Sequence, residues 1–196
     1  MNKILLASTS PTRKKILLNA GIKYNTSTPA IDEEKEKKKL NKIKNPEKIC
    51  QKLAEKKSVL TSEKNPSYYV IGVDTCLIYK KTFLSKPKTK NMAIQLLKKL
   101  NGKYHDIYSS ICISKKGKII WKYNDKATLK IRNLTKKEIT KYVNKLNIKT
   151  IKSSGLYQIE KRGIMLFEKI TGSYFTILGL PLMPLLKFLK KKGLLF

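Results

Sequence analysis

Short runs of apolar residues alternate with longer amphipathic segments along this chain, a pattern that predicts a mixture of strands and helices. The predicted strands are residues 3–7, 24–28, 69–74 continued after a kink by 76–79, 104–114, 118–131 and 164–170. The predicted helices are residues 11–20, 46–61, 89–100, 135–146 and a last helix that begins at Pro181. Because these elements follow no strict β-α-β repeat, the fold class is α/β or α+β around a mixed sheet.

Specific residues mark where two helices begin, and polar runs mark two loops. Ser10-Pro11 supplies an N-cap followed by a proline in the first helical turn. Thr135 and Glu138 have the spacing of a capping box. Residues 35–44 are rich in lysine and are predicted to form a mobile loop, and residues 153–162 are predicted to form a second loop.

The length and composition fit one globular domain over residues 1–196. Of the 196 residues, 41% are hydrophobic, which is enough to build a core and argues against intrinsic disorder. No internal repeat is visible in the sequence. We therefore expect a single domain, with room for a division into two lobes.

The chain is strongly basic, with 44 Lys and Arg residues against 13 Asp and Glu residues and a formal net charge of +31. Such a field attracts nucleic acid, anionic lipid or phosphorylated metabolites, and charge does not choose among them. No nucleic-acid-binding motif accompanies the charge, so nucleic acid is not the expected partner and most lysines are interpreted as solvated surface. Arginines are more informative in this background, since Arg13, Arg132 and Arg162 are the only ones.

Cysteine spacing and hydropathy argue against several classes of protein. The three cysteines lie far apart without a CxxC pair, and His105 is the single histidine, so neither a zinc site nor a disulfide framework is expected. The apolar residues 4–7 are too few for a signal peptide, and residues 177–189 contain two prolines and are too short to span a membrane. We expect a soluble, cytoplasmic protein with no membrane partner.

Residues 7–14 are the first candidate for chemistry. Ser8, Arg13 and Lys14 lie at a predicted strand-to-helix turn, where free backbone N–H groups meet hydroxyl groups and cations. This combination suits a polyphosphate. Taken alone, the same residues could form a capped helix and nothing more.

Two carboxylates are the second candidate. Asp74 follows a hydrophobic strand, where α/β sheets place their ligands, and Glu33 lies in an acidic group. In a chain so poor in acids, both are candidates to hold a divalent metal or to activate water. The alternative is that Glu33 is solvated and Asp74 caps a turn.

Lys57, Lys86 and His105 are weaker candidates when each is taken singly. One lysine among many carries little information, although Lys86-Pro87 after an apolar strand is conformationally restricted. His105 could act as a general base, but no Ser or Cys nucleophile with an acid partner accompanies it. A structural role is therefore favoured for His105.

These segments occur in the order and spacing of one family. Residues 8–13, Ser-Thr-Ser-Pro-Thr-Arg, resemble the Maf signature S-x-S-P-x-R. The further matching segments are residues 31–33, 53–57, 70–75, 85–87, 101–105, 154–160, 172–174 and 179–182. The resemblance covers the chain from Lys3 to about Leu189. Two departures are Thr12, where the signature often has arginine, and Ser85, where it usually has glycine.

The resemblance implies a two-lobed, mixed-sheet α/β fold like that of inosine triphosphatases, with the active cleft between the lobes and often a homodimer. It implies hydrolysis of nucleoside triphosphates to the monophosphate and pyrophosphate with a divalent metal, Mg²⁺ or Mn²⁺. The phosphate-binding residues carried over from the family are Ser8, Arg13, Lys14, Lys57 and Lys86. Asp74 is implied as the proton acceptor for the attacking water and, with Glu33, as a metal ligand.

The resemblance also points to three base-specificity positions, Thr12, Thr75 and Glu160. Thr75 resembles the enzymes that prefer dTTP and UTP, Glu160 resembles those that prefer 7-methyl-GTP, and Thr12 matches neither group. A carboxylate at position 160 can accept hydrogen bonds from the N1–H and the N2 amine of guanine. We therefore expect a modified purine or a broad range of nucleoside triphosphates as substrate.

Two other functions are compatible with the sequence. A nucleic-acid-binding or cell-division-inhibiting protein could keep the Maf scaffold and act through its basic surface, because the family is also associated with septum and division phenotypes. Another phosphohydrolase could act on nucleoside diphosphates or sugar nucleotides. Loss of activity on changing Asp74 would exclude the first function, and release of pyrophosphate would exclude the second.

Overall fold

The computed structural model describes residues 3–29, 31–40, 43, 45–154 and 156–195. The strands are β1 Ile4–Ala7, β2 Asn25–Ser27, β3 Tyr69–Tyr79, β4 Thr82–Leu84, β5 Tyr104–Lys115, β6 Lys118–Ile131 and β7 Phe167–Thr171. The helices are α1 Pro11–Asn19, α2 Glu33–Leu40, α3 Pro46–Lys64, α4 Lys90–Leu100, α5 Lys136–Asn144, α6 Ile148–Ser154, α7 Tyr174–Ile177 and α8 Leu182–Lys191. A short 3₁₀ helix spans Arg162–Leu166.

Seven strands form one mixed sheet in the order β2-β1-β3-β5-β6-β7, with β4 beside β3. Strand β1 is parallel to both of its neighbours, so that Leu6 pairs with Thr26 on one side and with Ile71 on the other. Strands β4 and β7 run antiparallel to β3 and β6. All four residues of β1 are buried, as expected of a parallel strand inside a sheet. The predicted mixed-sheet α/β class is confirmed.

The chain divides into two compact units. Unit 1 contains Met1–Cys76, Tyr108–Lys126 and Ser173–Phe196, and unit 2 contains Leu77–Ile107 and Ala127–Gly172. The core of unit 1 is built from the sheet and from helices α1 and α8, and its members include Leu6, Leu17, Ile71, Ile113 and Leu185. In unit 2, helix α4 packs against α5 and α6. The buried residues of these three helices include Leu97, Leu100, Ile139, Val143 and Ile151.

The predicted helix starts are confirmed at atomic detail. Ser10 caps α1 by accepting a hydrogen bond on Oγ from the Arg13 backbone nitrogen at 3.4 Å. At α5, Thr135 and Glu138 form the complete capping box, in which each side chain accepts from the backbone of the other residue. None of the described helices has the length and apolar character needed to cross a membrane.

Three of the predicted elements are wrong in part. The lysine-rich run 35–44 was predicted as a loop, but Glu33–Leu40 is helix α2, because Glu and Lys are good helix formers and pair one turn apart, as Glu36 and Lys39 do. Residues 41, 42 and 44 lie outside the described residues. The predicted loop 153–162 overlaps the end of α6. Strand β7 begins at Phe167 rather than Ile164, because Ile164 and Met165 are exposed in the 3₁₀ helix.

Helix α3 packs closely against strand β3 at Gly72, and this contact determines where the site residues of the two elements lie. A Cβ atom at Gly72 would lie 2.4 Å from the Ala54 carbonyl oxygen and 2.5 Å from the Ser58 backbone nitrogen. No side chain fits at these distances, so glycine is required for the helix to approach the strand. The consequence is that Lys57 on α3 and Asp74 on β3 are brought into contact.

We expect Gly72→Ala to lower the free energy of unfolding by about 3 kcal/mol, because the added methyl group must push α3 away from β3. The matched control is Gly21→Ala, where φ is +70° and nothing lies within 4 Å of the added Cβ atom. That change should cost about 1–2 kcal/mol through backbone strain alone. Urea unfolding of both variants provides the measurement, and equal losses would contradict the close contact at Gly72.

Candidate functional site

Arg13 lies at the turn from β1 into α1, and its guanidinium group is held by three neutral acceptors. Nε donates to the Gly179 carbonyl oxygen at 2.8 Å, Nη1 to Ser8 Oγ at 3.2 Å and Nη2 to Thr75 Oγ1 at 3.0 Å. These contacts use three of the five guanidinium N–H groups. Burial lowers the pKa of Arg13 from its ordinary value, and the carboxylates of Asp74 and Glu33 oppose that shift.

Ser8 is buried directly below this turn. Its Oγ accepts from the Ser10 backbone nitrogen at 3.2 Å as well as from Arg13. Because both of these contacts are accepted, the hydroxyl hydrogen of Ser8 is left to donate. The turn therefore presents a hydroxyl donor and two guanidinium N–H groups, which is the chemistry that binds a phosphate.

Lys57 is a buried cation between two carboxylates. Its Nζ donates to Asp74 Oδ1 at 2.8 Å, to Glu33 Oε1 at 2.9 Å and to the Val73 carbonyl oxygen at 3.4 Å. Lys57 and Asp74 are only 3% and 6% exposed, whereas the Glu33 side chain is 43% exposed. These three contacts match the three N–H groups of an ammonium ion, so Lys57 fixes both carboxylates around one point.

The same two carboxylates are the candidate ligands for a divalent metal. Within the described residues, no group of three or more His, Cys, Asp and Glu side chains could hold a metal ion. Mg²⁺, however, is bound in many nucleotide sites by one or two carboxylates together with water and substrate phosphate. Asp74 and Glu33 already share a cation in the form of the Lys57 ammonium group, so their donor set fits a metal that arrives with a triphosphate.

The structure brings together only some of the predicted site residues. Those connected in unit 1 by hydrogen bonds or ion pairs are Ser8, Arg13, Glu33, Lys57, Asp74 and Thr75. Thr12 and Lys14 are half-buried in the first turns of α1. Lys86 and Glu160 are exposed residues of unit 2.

Sequence reasoning missed the residues that support Thr75 and Arg13. Ser109 Oγ lies 2.9 Å from Thr75 Oγ1 and donates to the Thr176 carbonyl oxygen at 2.9 Å. Gly179 supplies the carbonyl oxygen that receives Arg13 Nε. Gly179 belongs to a segment that matches the family, but the match did not predict a role for it. Ser109 gave no signal, because its partner Thr75 is remote in sequence.

His105 lies in the core of unit 2. Its Nε2 is 2.7 Å from the Tyr157 hydroxyl oxygen, and its ring packs against Phe167. Burial lowers the pKa of His105 to about 4, against a smaller opposing effect of Asp106. His105 Nδ1 and the Tyr142 hydroxyl are the buried polar side-chain atoms without a hydrogen-bond partner in the described part of the chain. A neutral, packed imidazole fits the structural role favoured for His105.

In unit 1 of this mixed α/β fold, the carboxylate–lysine cluster and the arginine turn meet at the neighbouring residues Asp74 and Thr75, an arrangement whose chemistry suits a phosphorylated ligand. The family model described as Maf-like protein matches residues 3–192. The chain therefore belongs to the Maf family, and the resemblance found in the sequence is confirmed.

Relatives in this family are similar over nearly their full length. The 7-methyl-GTP pyrophosphatase of Brucella abortus biovar 1 (strain 9-941) is 40% identical over 191 residues, which are 97% of this chain and 96% of that protein. The nucleoside triphosphate pyrophosphatase of Pelagibacter ubique (strain HTCC1062) is 39% identical over 191 residues, which are 97% of this chain and 98% of that protein. The nucleoside triphosphate pyrophosphatase of Rhodopseudomonas palustris (strain BisB18) is 36% identical over 192 residues, 98% and 95% of the two chains.

The buried imidazole of His105 predicts a loss of stability in acid. Its pKa is about 4 in the fold and about 6.5 in an unfolded chain, so the unfolded state binds the proton more tightly. The neutral His105 side chain contributes fully to the free energy of unfolding above pH 6.5. This contribution is lost as the pH falls from 6.5 through 4. At pH 4 the loss from this group reaches about 3 kcal/mol.

His105→Gln provides the comparison, since glutamine cannot titrate and its amide can still reach a hydroxyl group. Urea unfolding of both proteins between pH 7 and pH 4 should show the parent losing more stability than the variant. Parallel curves for the two proteins would contradict a buried, neutral His105.

Proposed function

We propose that this chain is a nucleoside triphosphate pyrophosphatase, a hydrolase that cuts the anhydride bond between the α and β phosphates and releases a monophosphate and pyrophosphate. The observation that carries the proposal is the Asp74–Lys57–Glu33 cluster beside the Ser8 and Arg13 turn. The carboxylate cluster can activate water, and the Ser8 and Arg13 turn can bind phosphate. Full-length relatives named as pyrophosphatases of nucleoside triphosphates support the same reaction.

The phosphate-binding role falls on the β1–α1 turn. Arg13 is charged, and its direct partners Ser8, Thr75 and Gly179 are neutral. Its charge is therefore available to the oxygens of a triphosphate, on which negative charge develops as the bond breaks. Lys14 on the next position of the helix is the second proposed phosphate-binding cation of the turn. Lys57 would add its charge without a direct hydrogen bond, because its three N–H groups are used within the protein, and a phosphate-binding role for Lys86 stays a prediction.

Asp74 is the proposed acceptor for the proton of the attacking water. The Lys57 ammonium group holds Oδ1 at 2.8 Å, which orients the carboxylate while Oδ2 can face a water molecule. A positioned carboxylate of this kind acts as a general base. The water then attacks the α phosphate in line with the departing pyrophosphate.

A divalent metal, Mg²⁺ or Mn²⁺, is part of the proposal. Glu33 and Asp74 would hold it, and when bound it would neutralise phosphate charge and make the attacking water more acidic. The contribution of the chain is to keep both carboxylates around one cationic position, as their shared contact with Lys57 does.

For the nucleotide itself, we propose a modified purine such as 7-methyl-GTP or a broad range of nucleoside triphosphates. Glu160 is exposed, so its carboxylate is accessible to the donor edge of guanine. One relative is named for 7-methyl-GTP and another for nucleoside triphosphates in general at nearly equal identity, which supports both forms of the proposal.

We propose the cytoplasm as the compartment and a homodimer as the assembly. The three cysteines, Cys50, Cys76 and Cys112, are free buried thiols, which is typical of a reducing compartment. The homodimer follows from the family resemblance alone. Light scattering of the purified protein measures the assembly directly.

Asp74→Asn should lower kcat for pyrophosphate release by at least about a hundredfold, because an amide cannot accept the proton. The matched control is Asp106→Asn, where the half-buried carboxylate accepts from Thr128 Oγ1 and an amide oxygen can replace it. We expect near-normal turnover and native-like unfolding from the control, and a folded but less stable Asp74→Asn variant, because Lys57 loses the charge of one of its two carboxylate partners. Normal turnover of Asp74→Asn would remove Asp74 from the mechanism and favour a protein that acts through its basic surface.

Glu160→Gln should lower the ratio of kcat/KM for 7-methyl-GTP over UTP by about tenfold, because the guanine donors lose a charged acceptor. The control is Glu168→Gln, which neutralises another exposed carboxylate of unit 2 that pairs with Lys130. Steady-state rates for 7-methyl-GTP, GTP, UTP and dTTP decide the outcome. If the parent already prefers UTP and dTTP and the ranking is unchanged in the variant, Glu160 does not read the base.

A further inference from the structure

A chain of hydrogen bonds leads from Arg13 into the core of unit 1. Arg13 Nη2 donates to Thr75 Oγ1 at 3.0 Å, Thr75 Oγ1 lies 2.9 Å from Ser109 Oγ, and Ser109 Oγ donates to the Thr176 carbonyl oxygen at 2.9 Å. Ser109 is fully buried, with 0% of its surface exposed. Arg13 is therefore connected through two hydroxyl groups to a fixed backbone oxygen.

The backbone carbonyl oxygen at the end of this chain favours one direction for its hydrogen bonds. A carbonyl oxygen only accepts, so Ser109 spends its single hydroxyl hydrogen on Thr176. Thr75 Oγ1 lies 2.9 Å from Ser109 Oγ and 3.4 Å from the Gly179 carbonyl oxygen, so its hydroxyl hydrogen is assigned to the shorter contact, with Ser109, and Thr75 Oγ1 accepts from Arg13. Each hydroxyl group then donates once and accepts once, so Arg13 Nη2 donates to an oxygen that is itself held in place by the fold.

Two further contacts hold the ends of this chain. Thr176 is tied through its own hydroxyl group to the Asp125 carboxylate, which anchors helix α7. Gly179 adopts a φ of +90°, and a Cβ atom there would lie 2.9 Å from Thr75 Oγ1. Only glycine lets this carbonyl group reach Arg13 Nε while Thr75 keeps its place.

We propose that Thr75 and Ser109 are positioning residues that orient the Arg13 guanidinium group toward the triphosphate, and that Thr75 thereby governs phosphate binding rather than the choice of base. The inference rests on the proposed function, since it assumes that Arg13 binds phosphate. It assigns to Ser109 a role that the sequence did not suggest, and it replaces the base-specificity role predicted for Thr75.

The free N–H groups of Arg13 explain why orientation matters. With Nε, Nη1 and Nη2 each fixed by one protein acceptor, one N–H on each terminal nitrogen is aimed in a defined direction. Removing the Thr75 hydroxyl group releases Nη2 and leaves Ser109 without its donor. A guanidinium group that must be ordered by the ligand binds that ligand more weakly.

The test uses inorganic tripolyphosphate, which offers the phosphate chain without a base. Thr75→Val and Ser109→Ala should each raise its inhibition constant by about tenfold and should raise KM for every nucleotide by the same factor. Thr75→Ser, which keeps the hydroxyl group, should restore both constants. Ser110→Ala is the matched control, because this neighbouring buried serine donates instead to Asn124 Oδ1 at 2.6 Å.

The outcomes separate this inference from the proposed function. If Arg13→Ala weakens tripolyphosphate inhibition but Thr75→Val and Ser109→Ala do not, the positioning role is wrong and the pyrophosphatase proposal stands. If Arg13→Ala also has no effect, the phosphate-binding role of the turn fails as well. A changed ranking of UTP, dTTP, GTP and 7-methyl-GTP in Thr75→Val, with unchanged tripolyphosphate inhibition, would show that Thr75 reads the base.

A folding defect does not block the test. The shift in melting temperature on adding tripolyphosphate reports binding without turnover, and it can be measured on any variant that retains a thermal transition. Should Ser109→Ala fail to fold, the pair Thr75→Val and Thr75→Ser decides alone: weakened binding in the first and restored binding in the second support the inference, and equal binding in both overturns it.

Discussion

The buried ammonium group of Lys57 is the constraint on which the site depends. A charge removed from water must be paired and fully hydrogen-bonded, and Lys57 meets that requirement through Asp74, Glu33 and the Val73 carbonyl oxygen. The pairing needs α3 to approach β3 more closely than a side chain would allow, which is the reason for Gly72. Backbone packing and site electrostatics are thus set by the same contact.

Arg13 is a half-buried cation of unit 1, and its surroundings differ in kind from those of Lys57. Lys57 has two carboxylate partners, so its charge is compensated within the protein. Arg13 has only neutral acceptors among its direct contacts, Ser8, Thr75 and Gly179. An uncompensated cation favours an incoming anion, whereas a compensated one organises the groups around it. In the pyrophosphatase that we propose, this contrast assigns phosphate binding to Arg13 and the arrangement of the carboxylates to Lys57.

The parts of the fold that could be predicted are those with local signals. The Ser10-Pro11 start of α1 and the Thr135 capping box depend on residues within one turn. Asp74 was predicted to lie at the end of a strand, but it lies inside β3, which runs unbroken from Tyr69 to Tyr79. The family motifs identified the turn around Arg13. Ser109 could not be found, because its role arises from a contact across the fold with Thr75. Helix α2 was missed because its lysines were interpreted as solvated filler, although lysine is also a good helix former.

The excess of lysine affects how anionic ligands approach the protein rather than the chemistry of the site. Several of the 13 acids hold more than one lysine, as Glu55 does with Lys52 and Lys122 and Glu36 does with Lys39 and Lys56. The lysine ends of these pairs are exposed to solvent, whereas the Glu55 and Glu36 side chains are only 10% and 13% exposed. The remaining positive field raises the local concentration of any polyanion, including a nucleotide. It does so without regard to the base or to the number of phosphates, so the field can attract a nucleotide but cannot select one, and selectivity requires groups whose geometry is fixed.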